Sequence, residues 1–163
     1  MGTLDYKITD KFLDEEVFKN LQKLILSQDF PWFFQNRQVT NDDPYFSHLV
    51  FSKTKINSLF YEIFQDTFLN KLNCNALDEI RLNLLISKKE HSFSNWHVDR
   101  PYKCHTAIFY INTNNGYTLL DEKEKIKIES IENRMLVFNS QIKHAAVNQT
   151  DVPRRIVVNF NYF

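Results

Sequence analysis

The sequence predicts an α+β domain in which helices precede a β-sandwich or β-barrel. Apolar residues recur at helical spacing in the first half of the chain, and from Glu79 onward the pattern changes to a two-residue alternation. The alternating part divides into short segments separated by turn residues, which is typical of sandwiches and barrels. We therefore expect one domain over residues 1–163, with mainly helical support in 1–78 and a β core in 79–163.

Two helices are predicted in the first half. Asp14 is a candidate N-cap with two glutamates in the first turn, and this helix should end before Pro31. A second helix is predicted over 54–72, and a strand over 46–51 lies between the two. The apolar stripe of the second helix consists of Ile56, Leu59, Phe60, Ile63, Phe64 and Phe68. No role is predicted for the aromatic segment 30–34.

The second half contains the candidate strands of the β core. They cover 80–87, 105–111, 117–120, 125–129, 134–138 and 155–162. In the last strand an apolar face alternates with a mixed face made of Arg155, Val157, Asn159 and Asn161. The simplest arrangement places the apolar faces under the helices and the mixed faces inside a barrel. A barrel with a polar interior usually holds a ligand or a metal.

Composition and charge argue against several classes of function. Lysine plus arginine equals aspartate plus glutamate, 20 against 20, so no basic surplus is present to attract nucleic acid or an anionic membrane surface. The N-terminus lacks the pattern of a signal peptide, and no apolar stretch is long enough to span a membrane. Cys74 and Cys104 do not have the spacing of a zinc or redox motif. We expect a soluble, cytoplasmic protein with reduced thiols.

The segment 96–100 carries the candidate metal ligands. His97 and Asp99 are two residues apart, so on an extended backbone they project from the same side. His144 follows the predicted strand 134–138, and an antiparallel strand of a barrel can return its far end to this pair. Two histidines and one carboxylate leave coordination positions open, as in non-haem Fe(II) oxygenases, whereas zinc sites more often close the shell and favour cysteine.

Several segments of the second half, taken in order, resemble one known family. They are 97-HVDRP-101, 107-AIFYIN-112, 115-NGYT-118, 134-RMLVFNSQIKHAAV-147 and 155-RIVVNFNYF-163. Together they resemble the Fe(II)/2-oxoglutarate-dependent dioxygenases, nearest to the prolyl 4-hydroxylase-like branch and its small phage and bacterial members. The resemblance implies a double-stranded β-helix, a jelly-roll or cupin-like barrel, with the N-terminal helices packed on one sheet.

The resemblance also implies a set of site residues. The metal ligands would be His97, Asp99 and His144, and no other side chain is predicted to act as a catalytic group. Arg155 would bind the distal carboxylate of 2-oxoglutarate, assisted by the hydroxyl of Tyr110, because a guanidinium stays charged and donates two parallel hydrogen bonds. Arg154, one residue earlier, would then face the other side of the strand. Weaker candidates for the pocket are Asn83 and Thr118.

The implied reaction uses Fe(II), 2-oxoglutarate and O2 and releases succinate and CO2 while a substrate C–H bond is hydroxylated. A carboxylate at Asp99 fills the position at which related halogenases admit chloride, so hydroxylation is the expected outcome. We expect 2-oxoglutarate as small-molecule partner and a peptide, protein or small molecule as substrate, with peptidyl proline as the first substrate to test.

Three alternatives remain open. A nucleic-acid demethylase of the same fold would carry a second arginine six residues after the first, where this chain has Asn161. A non-catalytic, cupin-like metal-binding module has no evident need of Arg155. An iron or zinc cupin that works without 2-oxoglutarate has no use for an interior anion-binding arginine either.

Overall fold

The strands form two antiparallel sheets in the computed structural model, which describes residues 5–36 and 44–163. In chain order the elements are β1 (Tyr6–Thr9), α1 (Glu15–Leu26), β2 (Phe33–Gln35), β3 (Tyr45–Ser52), β4 (Lys55–Ile56), α2 (Tyr61–Phe64), a π-helical turn (Gln65–Leu69), β5 (Leu77–Ile86), β6 (His105–Tyr110), β7 (Tyr117–Leu120), β8 (Ile126–Glu129), β9 (Arg134–Asn139), β10 (His144–Val147) and β11 (Arg154–Tyr162).

The larger sheet has the strand order β1-β9-β6-β11-β5-β3-β2, with β4 paired to β3, and the smaller sheet has the order β10-β7-β8. Apolar side chains join the two sheets, with Ile108, Leu136 and Val157 of the large sheet packed with Leu120 and Ile128 of the small one. Two antiparallel sheets that face each other across such a core form the predicted double-stranded β-helix.

Helix α1 covers the outer face of the large sheet. Phe18, Leu21 and Ile25 are buried at helical spacing and belong to one apolar cluster with Phe109 and the apolar face of β11. Phe18 meets Phe109 edge to face, with ring centroids 6.0 Å apart. Burying each of these side chains contributes about 1.5–3 kcal/mol relative to exposure. The apolar faces therefore lie under the helix, as the alternation predicts.

The predicted second helix is wrong over its first part. The chain turns at Lys53 and Thr54, which have positive φ of 49° and 69°, and pairs back as β4 before helix α2 begins at Tyr61. Leu59 is fully exposed, whereas Phe64 and Phe68 are fully buried. The apolar stripe thus includes residues that do not share one helix face, because a two-strand hairpin precedes the helical turns.

Several short strands have no counterpart among the sequence predictions. They are β1, β2, β4 and β10, each of four residues or fewer. By contrast, β7 has the predicted bounds, and β5, β6, β8, β9 and β11 differ from theirs by three residues or fewer.

Other features of the first half follow the sequence only partly. Asp14 precedes α1, but its side chain makes no capping hydrogen bond, and the helix begins with Phe18 N–H donating to Asp14 O at 2.9 Å. Phe30 is buried, while Phe33 and Phe34 lie exposed on the edge strand β2. Cys74 and Cys104 are both free thiols. Within the described residues, no helix has the length and apolar character needed to cross a membrane.

Candidate metal centre

His97 and His144 are brought together by backbone pairing at the start of β10. His97 N–H donates to His144 O at 3.1 Å, His144 N–H donates to His97 O at 2.9 Å, and the two ring centroids are 4.4 Å apart. Asp99 follows two residues later, and its Oδ1 lies 3.8 Å from His97 Nε2 and 3.4 Å from His144 Nε2. One ligand atom from each residue lies within 4.8 Å of the other two. This cluster offers two nitrogens and one oxygen to a single ion.

Backbone carbonyls orient both imidazole rings. His97 Nδ1 lies 3.0 Å from Asn95 O, and His144 Nδ1 lies 3.3 Å from Ile142 O. A carbonyl oxygen only accepts hydrogen bonds, so Nδ1 of each ring carries a proton, and in the neutral ring the Nε2 lone pair is available to a metal. Burial, and then the neighbouring His144, lower the pKa of His97, which favours its neutral form. Rings fixed in this way through the second nitrogen are typical of metal-binding histidines.

The other carboxylate oxygen of Asp99, Oδ2, is fixed by hydrogen bonds from two neighbouring strands. Oδ2 accepts hydrogen bonds from Thr106 Oγ1 and from Asn161 Nδ2, each at 3.2 Å, and both donors are buried. Burial alone would raise the pKa of Asp99, but His144, and less strongly Asn161 and His97, hold it well below its ordinary value. Asp99 is therefore a fixed carboxylate with Oδ1 turned toward the two histidines.

Arg155 lies inside the barrel with 2% of its surface exposed. Its Nε donates to Ser130 Oγ at 2.9 Å and its NH2 donates to Thr118 Oγ1 at 3.1 Å. Within the described residues no carboxylate pairs with it, and burial lowers its pKa. A buried cation bonded only to neutral hydroxyls is costly unless an anion joins it. This guanidinium thus fits a carboxylate ligand.

Tyr110 and Thr118 belong to the surroundings of Arg155. Burial raises the pKa of Tyr110, so its hydroxyl stays protonated, and it donates to Thr118 Oγ1 at 2.8 Å. Thr118 lines the cavity, whereas Tyr110 lies behind it, bonded to Thr118 and with the Arg155 guanidinium 5.8 Å from its ring centroid. Arg154, on the opposite face of β11, donates from NH2 to Leu26 O at 3.2 Å.

Gly116 makes room for Arg155. A Cβ at this position would lie 2.9 Å from Arg155 Cδ, and 2.8 Å from both Val147 O and Asn114 Oδ1. Such distances are too short for real contacts with backbone. In the sequence this glycine stood out only as part of the segment 115–118. The need for a residue without a side chain arises from the close approach of Arg155 on β11 to the start of β7.

One cavity of about 410 Å³ contains the predicted site residues except Tyr110. Its lining includes His97, Asp99, His144, Arg155, Asn83 and Thr118. The histidines left out of the site lie elsewhere: His48 bonds Pro31 O and Ser58 Oγ, His91 bonds Asn148 O, and His105 packs on Tyr162. Sequence reasoning missed Ser130 and Thr106, which carry no local signal because each meets its partner across strands.

Comparisons with known proteins give relatives only at the level of structure. No family model matches the sequence, and no curated protein matches it. The chain is similar to a prolyl-4-hydroxylase from Pseudomonas putida, with 13% identity and a TM-score of 0.69 over 98% of this chain and 92% of that one. It is also similar to an oxidoreductase of the 2OG-Fe(II) oxygenase family from Burkholderia pseudomallei, with 10% identity and a TM-score of 0.72 over 96% and 84%.

A third similar structure is a prolyl hydroxylase from Trichoplax adhaerens in complex with a peptide from the oxygen degradation domain of hypoxia inducible factor. Identity is 17% and the TM-score is 0.67, over 99% of this chain and 84% of that one. The chain has the fold of the 2-oxoglutarate- and Fe(II)-dependent oxygenases. Identities this low establish the fold, and the activity must be argued from the site.

Proposed function

We propose that this chain is an Fe(II)- and 2-oxoglutarate-dependent oxygenase that hydroxylates a C–H bond of its substrate. The observation that carries the proposal is that one cavity holds both a His-Asp-His cluster and Arg155, a buried arginine with no carboxylate partner among the described residues. A metal alone accounts for the first feature. An anionic co-substrate accounts for the second, because binding its carboxylate would pair the buried charge.

The residues present fit both groups. His97, Asp99 and His144 would hold Fe(II), since two imidazoles and a carboxylate suit this ion and leave positions open. Arg155 and Thr118 would bind the distal carboxylate of 2-oxoglutarate. With both groups bound, the chemistry supplied is R–H + 2-oxoglutarate + O2 → R–OH + succinate + CO2, in which one oxygen atom enters the substrate and the other enters succinate.

The protein contributes position and charge to this reaction. Thr106 and Asn161 bond Asp99 Oδ2, so Oδ1 is the carboxylate oxygen that would be available to hold a metal together with the two histidines. The carbonyls behind His97 and His144 keep both rings in the ligating tautomer. Fixed ligands of this kind preserve the open positions that a co-substrate and O2 require.

Two other functions fit the cavity less well. A nucleic-acid demethylase needs a positive surface for phosphates, and the net charge of the chain is zero. A metal-binding module without catalysis gains nothing from Arg155, whose burial is costly without an anion. Peptidyl proline is a test substrate only because two of the similar structures are prolyl hydroxylases, one with a bound peptide.

The proposal is tested by following binding and turnover separately. Protein purified without oxygen is titrated with Fe(II) and then 2-oxoglutarate, and the charge-transfer absorption of the ternary complex is recorded. After admission of O2, succinate is quantified with and without candidate peptides, amino acids and nucleosides. We expect a ternary complex in the wild type and in His105→Ala, an exposed histidine used as control, but none in His144→Ala. A His144→Ala protein that still forms the complex would refute the metal site.

A further inference from the structure

The cavity extends beyond the metal cluster along two paired strands. In the β5–β11 register, Leu85 faces Arg155, Asn83 faces Val157, Arg81 faces Asn159 and Glu79 faces Asn161. All eight residues line the cavity. The row begins at the buried Arg155, and Asn161 at its other end is bonded to Asp99. The remaining polar side chains are Asn83, Asn159, Arg81 and Glu79, here called the polar row. This polar row is the part of the cavity that the metal and co-substrate do not explain.

Two amide oxygens in the polar row have no partner. Asn83 Oδ1 and Asn159 Oδ1 are buried, and neither accepts a hydrogen bond from any described residue. The two residues are diagonal neighbours on the paired strands, about 7–8 Å apart by the geometry of antiparallel sheets. Buried polar atoms in folded proteins are nearly always paired. Both oxygens belong to cavity-lining residues but have almost no accessible surface themselves, so a ligand that donates hydrogen bonds would pair with them once each amide turns toward the cavity.

Arg81, the next residue of the polar row, offers hydrogen-bond donors instead of acceptors. Arg81 Nε donates to Glu79 Oε1 at 3.0 Å, and the other carboxylate oxygen of Glu79 is bound by Arg100 NH2 at 3.1 Å. Arg100 is further held by Asp78, and these contacts raise its pKa. Glu79 is thus shared between two arginines, and within the described residues NH1 of Arg81 has no hydrogen-bond partner. An acceptor such as a carboxylate or carbonyl oxygen fits there.

We propose that the polar row binds a substrate with the polar groups of an amino acid, with N–H donors on Asn83 and Asn159 and a carboxylate or carbonyl oxygen on Arg81. This rests on the proposed oxygenase function and names its substrate class. Either a free amino acid or a residue with an N–H-bearing side chain in a peptide provides this chemistry. The substrate would bind beside the metal cluster, because His97 and Asp99 line the same cavity.

Two other substrate classes fit the polar row poorly. A prolyl ring in a peptide carries no N–H group, so the ring itself cannot pair with either amide oxygen, and this hydrogen bonding would be lost. A nucleobase is usually stacked between aromatic or apolar side chains, and apart from the two candidate histidine ligands Tyr45 is the only ring among the cavity-lining residues of the described chain.

The co-substrate provides a different explanation that the test must separate. 2-Oxoglutarate carries only acceptor atoms at neutral pH, so an asparagine would bind it through Nδ2 after rotation of the amide. Substitution by aspartate distinguishes the two roles. Asn83→Asp and Asn159→Asp keep an acceptor for substrate N–H groups. If the co-substrate instead bound directly to these amides, the added negative charge would repel it, because 2-oxoglutarate is a dianion.

The experiment compares substrates and then variants. Succinate formation above the substrate-free rate is measured with free polar amino acids, with the same amino acids acetylated on nitrogen or esterified on the carboxylate, with short peptides containing them, and with prolyl peptides and nucleosides. We expect at least about tenfold stimulation by one polar amino acid, free or in a peptide, and none by prolyl peptides. The blocked compounds tell the two sources apart.

The variants test the residues of the row. Asn159→Leu and Arg81→Met should each raise the apparent KM of the active substrate at least about tenfold, while Asn159→Asp should raise it less than about threefold. Arg154→Met, on the outer face of the same strand, is the matched control and should behave like the wild type. The Kd for 2-oxoglutarate, titrated without oxygen, should remain within about threefold of the wild-type value in each variant. Thermal unfolding checks that each variant is folded.

Several results overturn the proposal. Stimulation by prolyl peptides or nucleosides alone would assign another substrate class. Loss of 2-oxoglutarate affinity in Asn83→Asp or Asn159→Asp, with the substrate KM unchanged, would assign the amides to the co-substrate. A wild-type protein that binds neither Fe(II) nor 2-oxoglutarate would remove the proposed function first, and this inference with it, so the two failures are distinguishable.

Discussion

Replacement of Arg155 by methionine should separate the stability of the chain from its capacity to bind the co-substrate. Arg155 is 2% exposed, and among residues 5–36 and 44–163 its guanidinium bonds only the hydroxyls of Ser130 and Thr118. Within that part of the chain, the unliganded protein therefore contains a buried charge that lacks a counterion. A methionine side chain fills much of the same space without charge. Thr118 keeps the hydrogen bond from Tyr110, so it is not left without a partner.

The substitution should change the stability of the unliganded protein and its affinity for 2-oxoglutarate in opposite directions. Replacing a buried charged group by an apolar residue of similar volume is often neutral or stabilising by about 1–4 kcal/mol. Loss of one member of a buried charge pair weakens binding by about 2–5 kcal/mol, which is about thirtyfold or more in Kd. At 2-oxoglutarate concentrations 100 times the wild-type Kd, the ligand stabilises the wild type by about 2.7 kcal/mol, but a thirtyfold weaker Kd leaves about 0.9 kcal/mol.

Urea unfolding measures both quantities without any turnover. The free energy of unfolding is determined with Mn(II) as a redox-inert metal, with and without 2-oxoglutarate, for the wild type, Arg155→Met and Arg154→Met. Arg154→Met, whose guanidinium bonds Leu26 O on the other side of β11, should keep the full response to 2-oxoglutarate. The reasoning is refuted if Arg154→Met loses that response while Arg155→Met keeps it. In turnover, Arg155→Ala should raise the KM for 2-oxoglutarate at least about tenfold, and Arg154→Ala less than about threefold.

Three further predictions concern the metal cluster and a histidine outside it. His97→Ala, Asp99→Ala and His144→Ala should each abolish succinate formation while circular dichroism shows a folded protein; unfolding of all three would indicate a structural metal. Asn161→Leu removes a hydrogen bond to Asp99 Oδ2 and should weaken Fe(II) binding about 10- to 100-fold in an anaerobic titration, and an unchanged affinity would contradict this. Burial lowers the pKa of His48, so the unfolded chain takes up its proton at higher pH than the folded one. The wild type should therefore lose stability relative to His48→Gln as the pH falls below about 6.5 in urea unfolding, and parallel pH profiles would rule this out.

The sequence predicts the β core well because alternation in a two-sided sheet is strict. A shift of one residue in β11 would turn Asn159 and Asn161 toward the helix and Phe160 into the cavity, so only one register is compatible with burial. The observed strand follows that register, with Phe160 packed in the outer core and Asn161 inside. No such constraint applies to residues 54–60. Their apolar residues predicted a helix, but the chain turns at Thr54, which has a positive φ, and forms a hairpin.

The site was only partly predictable from the sequence. The spacing of His97 and Asp99 is a local signal, and the position of His144 after a strand allowed it to be placed beside them. Ser130 had no such signal. It precedes β9 in a connection, and it meets Arg155 only because β8 and β11 belong to different sheets that close over the cavity. Partners that meet across sheets depend on the closure of the barrel, which no local pattern records.

The interior of this barrel departs from the usual apolar pattern in one continuous place. Polar side chains at Arg155, Asn83, Asn159 and Arg81 follow each other along β5 and β11, although apolar residues there would fold the same sheet without unpaired amides or an uncompensated charge. Arg81 is paired with Glu79, but the amide oxygens of Asn83 and Asn159 and the charge of Arg155 have no such partner among the described residues, which costs stability in the unliganded chain. Arg155 has the chemistry of a carboxylate site, and the amide oxygens of Asn83 and Asn159 have the chemistry of a site for N–H donors. The cost is therefore best explained if two different ligands occupy the cavity together, one bound by Arg155 and one bound by the amides.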